Sequence, residues 1–266
     1  MFPPDLIAAG GLLFAFDHAT IAGKVVLSLL AVGSIFSWSI MITKLRVIQF
    51  ARKQNARFLA AFHQDRQPLR LFEKNARFPG SPVFSVYRAG CQEMTFHLLG
   101  SAEVDETFRA RLEIADKISP AQMGAVNAAM ERAVGETALD LESQMILLAT
   151  AVSGSPFLGL LGTVWGVMST FASIAENNSA SLTTMAPGVA AALVATVTGL
   201  LVAIPAMFAY NFMVTTIRAI TQELDGFATR YATQIEHVYV DNRPLAEEIK
   251  SANEALAGRI VEGLKT

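Results

Sequence analysis

Charge is scarce in this sequence, and it is missing altogether from three long runs. Residues 25–43, 143–175 and 177–217 contain no Asp, Glu, Lys or Arg. A single cysteine, Cys91, excludes an internal disulfide. The four histidines, His18, His63, His97 and His237, are scattered without ligand spacing, so no metal site is expected. A net charge of −2 speaks against nucleic-acid binding. There is no Ser/His/Asp constellation, phosphate loop or dinucleotide fingerprint, and the chain reads as a non-enzyme without cofactor. The N-terminus lacks the basic region and small-residue cleavage site of a signal peptide, so the first apolar run is expected to stay.

Apolar sequence fills the space that charge vacates: 52% of residues are hydrophobic and 17% charged. Each uncharged run reaches the roughly 18–20 residues needed to cross about 30 Å of hydrocarbon. The expected fold is an all-α membrane protein with three transmembrane helices, two of them long helices that extend into the cytoplasm. Basic residues set the orientation. The first 23 residues hold no Lys or Arg, whereas Lys44, Arg46, Arg52, Lys53 and Arg57 follow the first span. Positive-inside counting puts the N-terminus outside and the C-terminus inside. The order is then a periplasmic N-terminus (1–21), a first span (22–42), a cytoplasmic helical segment (43–142) and a second span (143–174). A periplasmic turn (175–187) with Pro187-Gly188 as helix breaker, a third span (188–217), a cytoplasmic extension (218–240) and an amphipathic tail helix (241–266) complete it.

Within 43–142 two breaks are expected, at 66–82 and near 100–106. Ser119 reads as an N-cap with Pro120 at the first helical position. Met123, Val126, Met130, Val134 and Leu141 recur at helical spacing from there. Nothing interrupts this pattern before Gly154 and Pro156, which predicts one helix over 120–174, about 80 Å long at 1.5 Å per residue. In the tail, Leu245, Ile249, Leu256, Ile260 and Leu264 form a narrow apolar stripe suited to packing on the same chain, on a second copy or on a partner.

Glycine weakens a helix by about 1 kcal/mol relative to alanine, yet Gly159, Gly162 and Gly166 sit inside the second span. Lipid tails are as apolar as leucine, so helices in membranes associate through close packing and interhelical hydrogen bonds. Gly162 and Gly166 form one small-xxx-small pair, and Ala191, Ala195, Gly199 and Ala203 make a flat stripe on the third span. These faces predict a neighbouring helix, from the same subunit or another, or an enclosed partner helix. Ion pathways normally use ionisable groups. These runs offer only hydroxyls: Thr150, Thr163, Thr170, Thr196 and Thr198. If the protein moves protons, the titrating carboxylate must belong to another chain. A threonine bonded back to its own helix is the plainer reading for most of the five.

"SPFLGLLGTVWGVMSTF" followed by "APGVAAALVATVTGLLVAIPAMFAYN" resembles the paired signature of the TolQ/ExbB branch of the MotA/TolQ/ExbB proton-channel family, and "IFSWSIMITKLRVIQFARK" resembles its first span. The resemblance implies a homopentameric ring in the bacterial inner membrane, closed around two single-span partners of the TolR/ExbD type that carry a protonatable Asp. It implies conversion of proton-motive force into work delivered to the periplasm or outer membrane. The family's channel threonines map onto Thr163 and Thr196; Thr198, Ala191, Gly162, Gly166, Ala195 and Gly199 are further channel or packing positions. The family pattern "APGIAEAL" has Glu where this sequence has Ala191. That departure leaves open a sodium-coupled stator, or a non-conducting scaffold of the same fold.

Overall fold

The computed structural model describes residues 16, 19–65, 67–102, 104–105, 107–177 and 181–241; the tail helix expected over 241–266, apart from residue 241, and most of the N-terminal segment lie outside the described residues. The order is α1 (Ile21–Gln64), α2 (Arg70–Glu73), α3 (Pro82–Leu99), α4 (Phe108–Ile114), α5 (Pro120–Glu142), α6 (Met145–Asn177) and α7 (Leu182–Tyr239). The fold is all-α. Three helical stretches, Ile21–Gln64, Pro120–Glu176 (counted through a turn) and Met185–Tyr239, are long and apolar enough to cross a membrane. The chain divides into two compact units, one of Met1–Phe50 with Leu139–Ala219, the other of Ala51–Ala138 with Ile220–Thr266.

In the first unit the sequence expectation fails in two instructive places. The helix predicted over 120–174 is interrupted at Ser143 and Gln144, where Gln144 adopts φ 65°. A side chain from far away in the sequence binds the helix end there. Lys44, 5% exposed, donates from Nζ to Ser143 Oγ at 2.8 Å and to the carbonyls of Asp140 and Leu141 at 3.3 Å each. An ammonium at a helix C-terminus takes up carbonyls left without N–H partners and meets the negative end of the helix dipole. The second difference is that α7 is already helical from Leu182 and runs through Pro187 and Pro205. Pro187 and Gly188 therefore lie inside the helix. A Cβ on Gly188 would sit 2.5 Å from Thr170 Oγ1, so α7 needs glycine there for close approach to α6.

The second unit is organised by aromatic rings. Phe58 is fully buried, and the rings of Phe62, Phe78, Phe84, Tyr87 and Phe227 surround it at centroid distances of 5.3 to 5.8 Å. Edge-to-face and tilted pairs of this kind add about 0.5–1.5 kcal/mol each beyond area burial. The phenol groups tie down the segment between α1 and α3. Tyr87 Oη accepts from the Phe72 amide at 3.0 Å, and Tyr231 Oη donates to the Pro68 carbonyl at 3.3 Å. Cys91 Sγ lies 2.9 Å from Tyr231 Oη, and burial pushes its thiol up to about 12. Asn55 Oδ1 accepts from Ser81 Oγ and the Val83 amide, anchoring the start of α3.

Helix ends follow local chemistry. Ser81 caps α3 with Pro82 in its first turn, and Gly100 closes it at φ 72°. Ser119 and Gln122 form a reciprocal capping box for α5, at 3.3 and 2.8 Å. The stripe of Met123, Val126, Met130, Val134 and Leu141 is buried, none of them above 6% exposure. Past Tyr239 the backbone pairs with Ile118, whose amide donates to the Tyr239 carbonyl and whose carbonyl accepts from the Asp241 amide.

Lys44→Met keeps the aliphatic stem but removes the ammonium donor to the Leu141 carbonyl and to Ser143, while the Asp140 carbonyl keeps its bonds from Ser143. Leaving buried acceptors unmet costs about 1–3 kcal/mol. The variant is expected to unfold earlier by that amount in detergent-solubilised protein; an unchanged unfolding curve would refute the latch.

Candidate functional site in the helical hairpin

Gly159, Gly162 and Gly166 of α6 face α7 of the same chain. A Cβ on Gly162 would lie 2.6 Å from Ala195 Cβ, and one on Gly166 would lie 2.7 Å from Ala192 Cβ. On Gly159 it would meet the backbone at Ala195 and Thr196 at 3.0 Å. The contact is reciprocal, because a Cβ on Gly199 would stand 2.5 Å from the Ser155 carbonyl oxygen. The close neighbour expected from the small-residue faces is therefore α7 itself. Ala191, Ala195 and Ala203, all buried, continue the stripe.

This contact sets the position of the threonines. Thr196 Oγ1 donates across the interface to the Gly159 carbonyl at 3.0 Å, a contact that a side chain on residue 159 would obstruct. It also lies 3.5 Å from Thr163 Oγ1. Thr163 is half-buried and donates to the Leu160 carbonyl at 2.7 Å. The two residues singled out in the sequence thus come together, with both hydroxyl hydrogens directed at carbonyls. Thr150, Thr170 and Thr198 donate within their own helices, to Ile146, Gly166 and Val194. Thr198 is not part of the pair.

Ala191 is 6% exposed and lines a niche with Thr20, Gly23, Gly162, Gly166 and Gly188. The niche measures about 20 Å³, room for about one water. Small residues of α1, α6 and α7 converge there, and no acidic residue lines it.

Sequence reasoning missed the backbone groups that complete these contacts, the Gly159 carbonyl that accepts from Thr196 and the Ser155 carbonyl that lies against Gly199. Their signal was the glycine opposite or alongside each one. It also counted Lys44 only as a topology marker, since Lys44 and the residues it binds are 96–99 positions apart. Among the described residues no cluster of His, Cys, Asp or Glu could hold a metal.

Three bilayer-length apolar helices with a tightly apposed, hydroxyl-bearing hairpin define the class, a polytopic membrane protein. Similarity to known proteins narrows the class. A profile of the MotA/TolQ/ExbB proton channel family matches residues 100–226. The Tol-Pal system protein TolQ of Haemophilus influenzae is 33% identical over 220 residues, covering 82% of this chain and 90% of that protein. TolQ of Pseudomonas aeruginosa is 32% identical over 211 residues, covering 78% and 85%. The biopolymer transport protein ExbB of Pseudomonas putida is 31% identical over 196 residues, 74% of this chain and 54% of that one. The chain belongs to the MotA/TolQ/ExbB proton channel family, in its TolQ/ExbB branch, and is not an enzyme.

Gly199→Ala forces a Cβ against backbone oxygen and is expected to cost about 1–3 kcal/mol of hairpin stability. Gly33→Ala is the control, because its Cβ would meet nothing within 4 Å and gains up to about 1 kcal/mol of helix propensity. Unfolding of the two purified variants checks this; equal effects would rule out the glycine contact.

Proposed function

We propose that this protein is a proton-channel and stator subunit of the bacterial inner membrane. Five copies form a ring around two single-span partners of the TolR/ExbD type, and the ring converts proton-motive force into work delivered to the periplasm or outer membrane. The N-terminus and the hairpin turn face the periplasm. Residues 43–142, the 218–240 extension and the 241–266 tail face the cytoplasm. The Tol-Pal and biopolymer-transport names of the relatives support an envelope or uptake task.

The observation that carries this reading is the Thr163–Thr196 pair. A hydroxyl whose hydrogen is committed to a carbonyl presents lone pairs to anything that approaches. It therefore accepts a hydrogen bond from a protonated carboxylic acid and has no donor left for a carboxylate. A partner Asp facing this pair is favoured in its neutral form while it is out of water. No Asp, Glu, Lys, Arg or His lies in the uncharged runs of α6 and α7 to replace it. The partner brings the proton, and the hairpin supplies the place where the proton stays on.

Ala191 supports a second reading, a sodium-coupled stator or a non-conducting scaffold, since the family pattern that this stretch resembles has Glu there and the niche here holds about 20 Å³. One reconstitution separates the readings. In liposomes with its single-span partner, the protein is expected to pass protons, and Thr196→Val or the partner's Asp→Asn to cut the flux at least tenfold with assembly intact. Full flux in both variants overturns the mechanism. Flux that requires sodium selects the sodium stator, and no flux in the unmodified complex selects the scaffold.

A further inference from the structure

Within the first unit a groove of about 430 Å³ runs between α1 and α6, and the channel reading does not use it. Its α1 wall runs from Leu29 to Ile40 and its α6 wall from Leu147 to Leu158. Glycine opens it. A Cβ on Gly33 or Gly154, both in the walls, would meet nothing within 4 Å, whereas Gly159, Gly162 and Gly166 are bare because α7 lies on them. Beyond the groove α1 closes onto α6, where Val26 Cγ1 would stand 3.4 Å from a Cβ on Gly162. The other end stops one turn short of Lys44, with Arg46 exposed just after it, so it lies at the polar boundary. The open side continues into the exposed apolar face of Ile21, Val25 and Val32, which the bilayer covers.

The dimensions select the occupant. From Leu29 to Ile40 the wall is about 16 Å long at 1.5 Å per residue, close to half of a hydrocarbon layer about 30 Å thick. Spread over that length, 430 Å³ gives a mean section of roughly 26 Å², whereas a helix about 10 Å across needs roughly 80 Å². The groove takes one extended chain and not a helix. Ser37 adds a polar requirement. It lines the groove one turn from the charged end and is 6% exposed, and its hydroxyl has no hydrogen-bond partner among the described residues. Thr150 on the facing wall, by contrast, donates to the Ile146 carbonyl. A hydroxyl kept from water needs an acceptor. We infer that the groove seats one acyl chain of a membrane glycerophospholipid, whose ester carbonyl accepts from Ser37 Oγ. Such a lipid joins an acceptor to the head of a hydrocarbon chain, in the order the groove presents from its charged end inward. The inference rests on the bilayer setting of α1 and α6 and not on ion conduction.

The test uses the full chain, reconstituted in vesicles of phosphatidylethanolamine and phosphatidylglycerol and then washed in lipid-free detergent. Native mass spectrometry is expected to find one glycerophospholipid held per chain after bulk lipid has gone. Either headgroup supports the proposal, and a chain that holds no lipid, or only a lipid without an ester, would overturn it. Gly33→Leu with Gly154→Leu fills the groove and is expected to cut retention at least tenfold with unfolding unchanged. Ser37→Ala leaves the groove open, so it reads the contact without a risk to the fold. Its retention is expected to fall two- to tenfold, the value of one hydrogen bond. Retention equal to that of the unmodified chain in either variant would overturn the proposal. Phe36 stands on the rim, exposed, and Cys91 is buried. Phe36→Cys is expected to give no disulfide between chains under mild oxidation; a disulfide there would overturn the lipid in favour of a second copy.

Discussion

Two helices can share a hydrogen bond from a threonine side chain to a facing backbone carbonyl only if no Cβ stands in the way. At Gly159 that condition is met, and Thr196 reaches the carbonyl at 3.0 Å. In a bilayer there is little hydrophobic drive to bring α6 and α7 together, so contact distance carries the association. Each glycine weakens its own helix slightly. The dispersion and hydrogen bonding that become available across the gap offset that weakness. The Thr163–Thr196 pair, the buried alanine stripe and the narrow niche at Ala191 all follow from this one approach. Widening it by a methyl group would disturb them together.

Much of the hairpin is legible in the primary structure, because its determinants are local and periodic. Uncharged length predicts the spans, and the four-residue spacing of Ala191, Ala195, Gly199 and Ala203 predicts the contact face. The buried stripe from Met123 to Leu141 and the Ser119 cap are equally plain. Features made by residues distant in sequence are not. The turn at Ser143–Gln144 depends on a lysine about a hundred residues earlier, and no local propensity announces it. Pro187-Gly188 looks like a turn because its composition is that of a turn; it lies inside α7, where Gly188 leaves room for Thr170 of α6.

The second unit shows the same limit. Phe58, Phe78, Phe84 and Phe227 come from widely separated segments, and only the fold makes them a cluster. Tyr87 and Tyr231 add a second role, since each combines a buried ring with a hydroxyl that satisfies loop backbone. Between them they hold in place a segment whose sequence alone reads as an irregular break. The glycine contacts and the aromatic cluster are different solutions to one requirement, that buried surface be matched atom by atom.

The Lys44 latch bears on how the molecule comes into being. Its acceptors are translated 96 to 99 residues after the lysine itself. At about 5–20 residues per second, that is a delay of roughly 5 to 20 s. Over this interval the ammonium, midway along α1, has none of these carbonyls to bind, and an unpaired ammonium stays in water where its aliphatic stem lets it reach. Arrival of the α5 end removes the charge from water and fixes where α6 begins. A single buried amine thus joins two helical segments made far apart in time, and it is in place before the carbonyls that it binds.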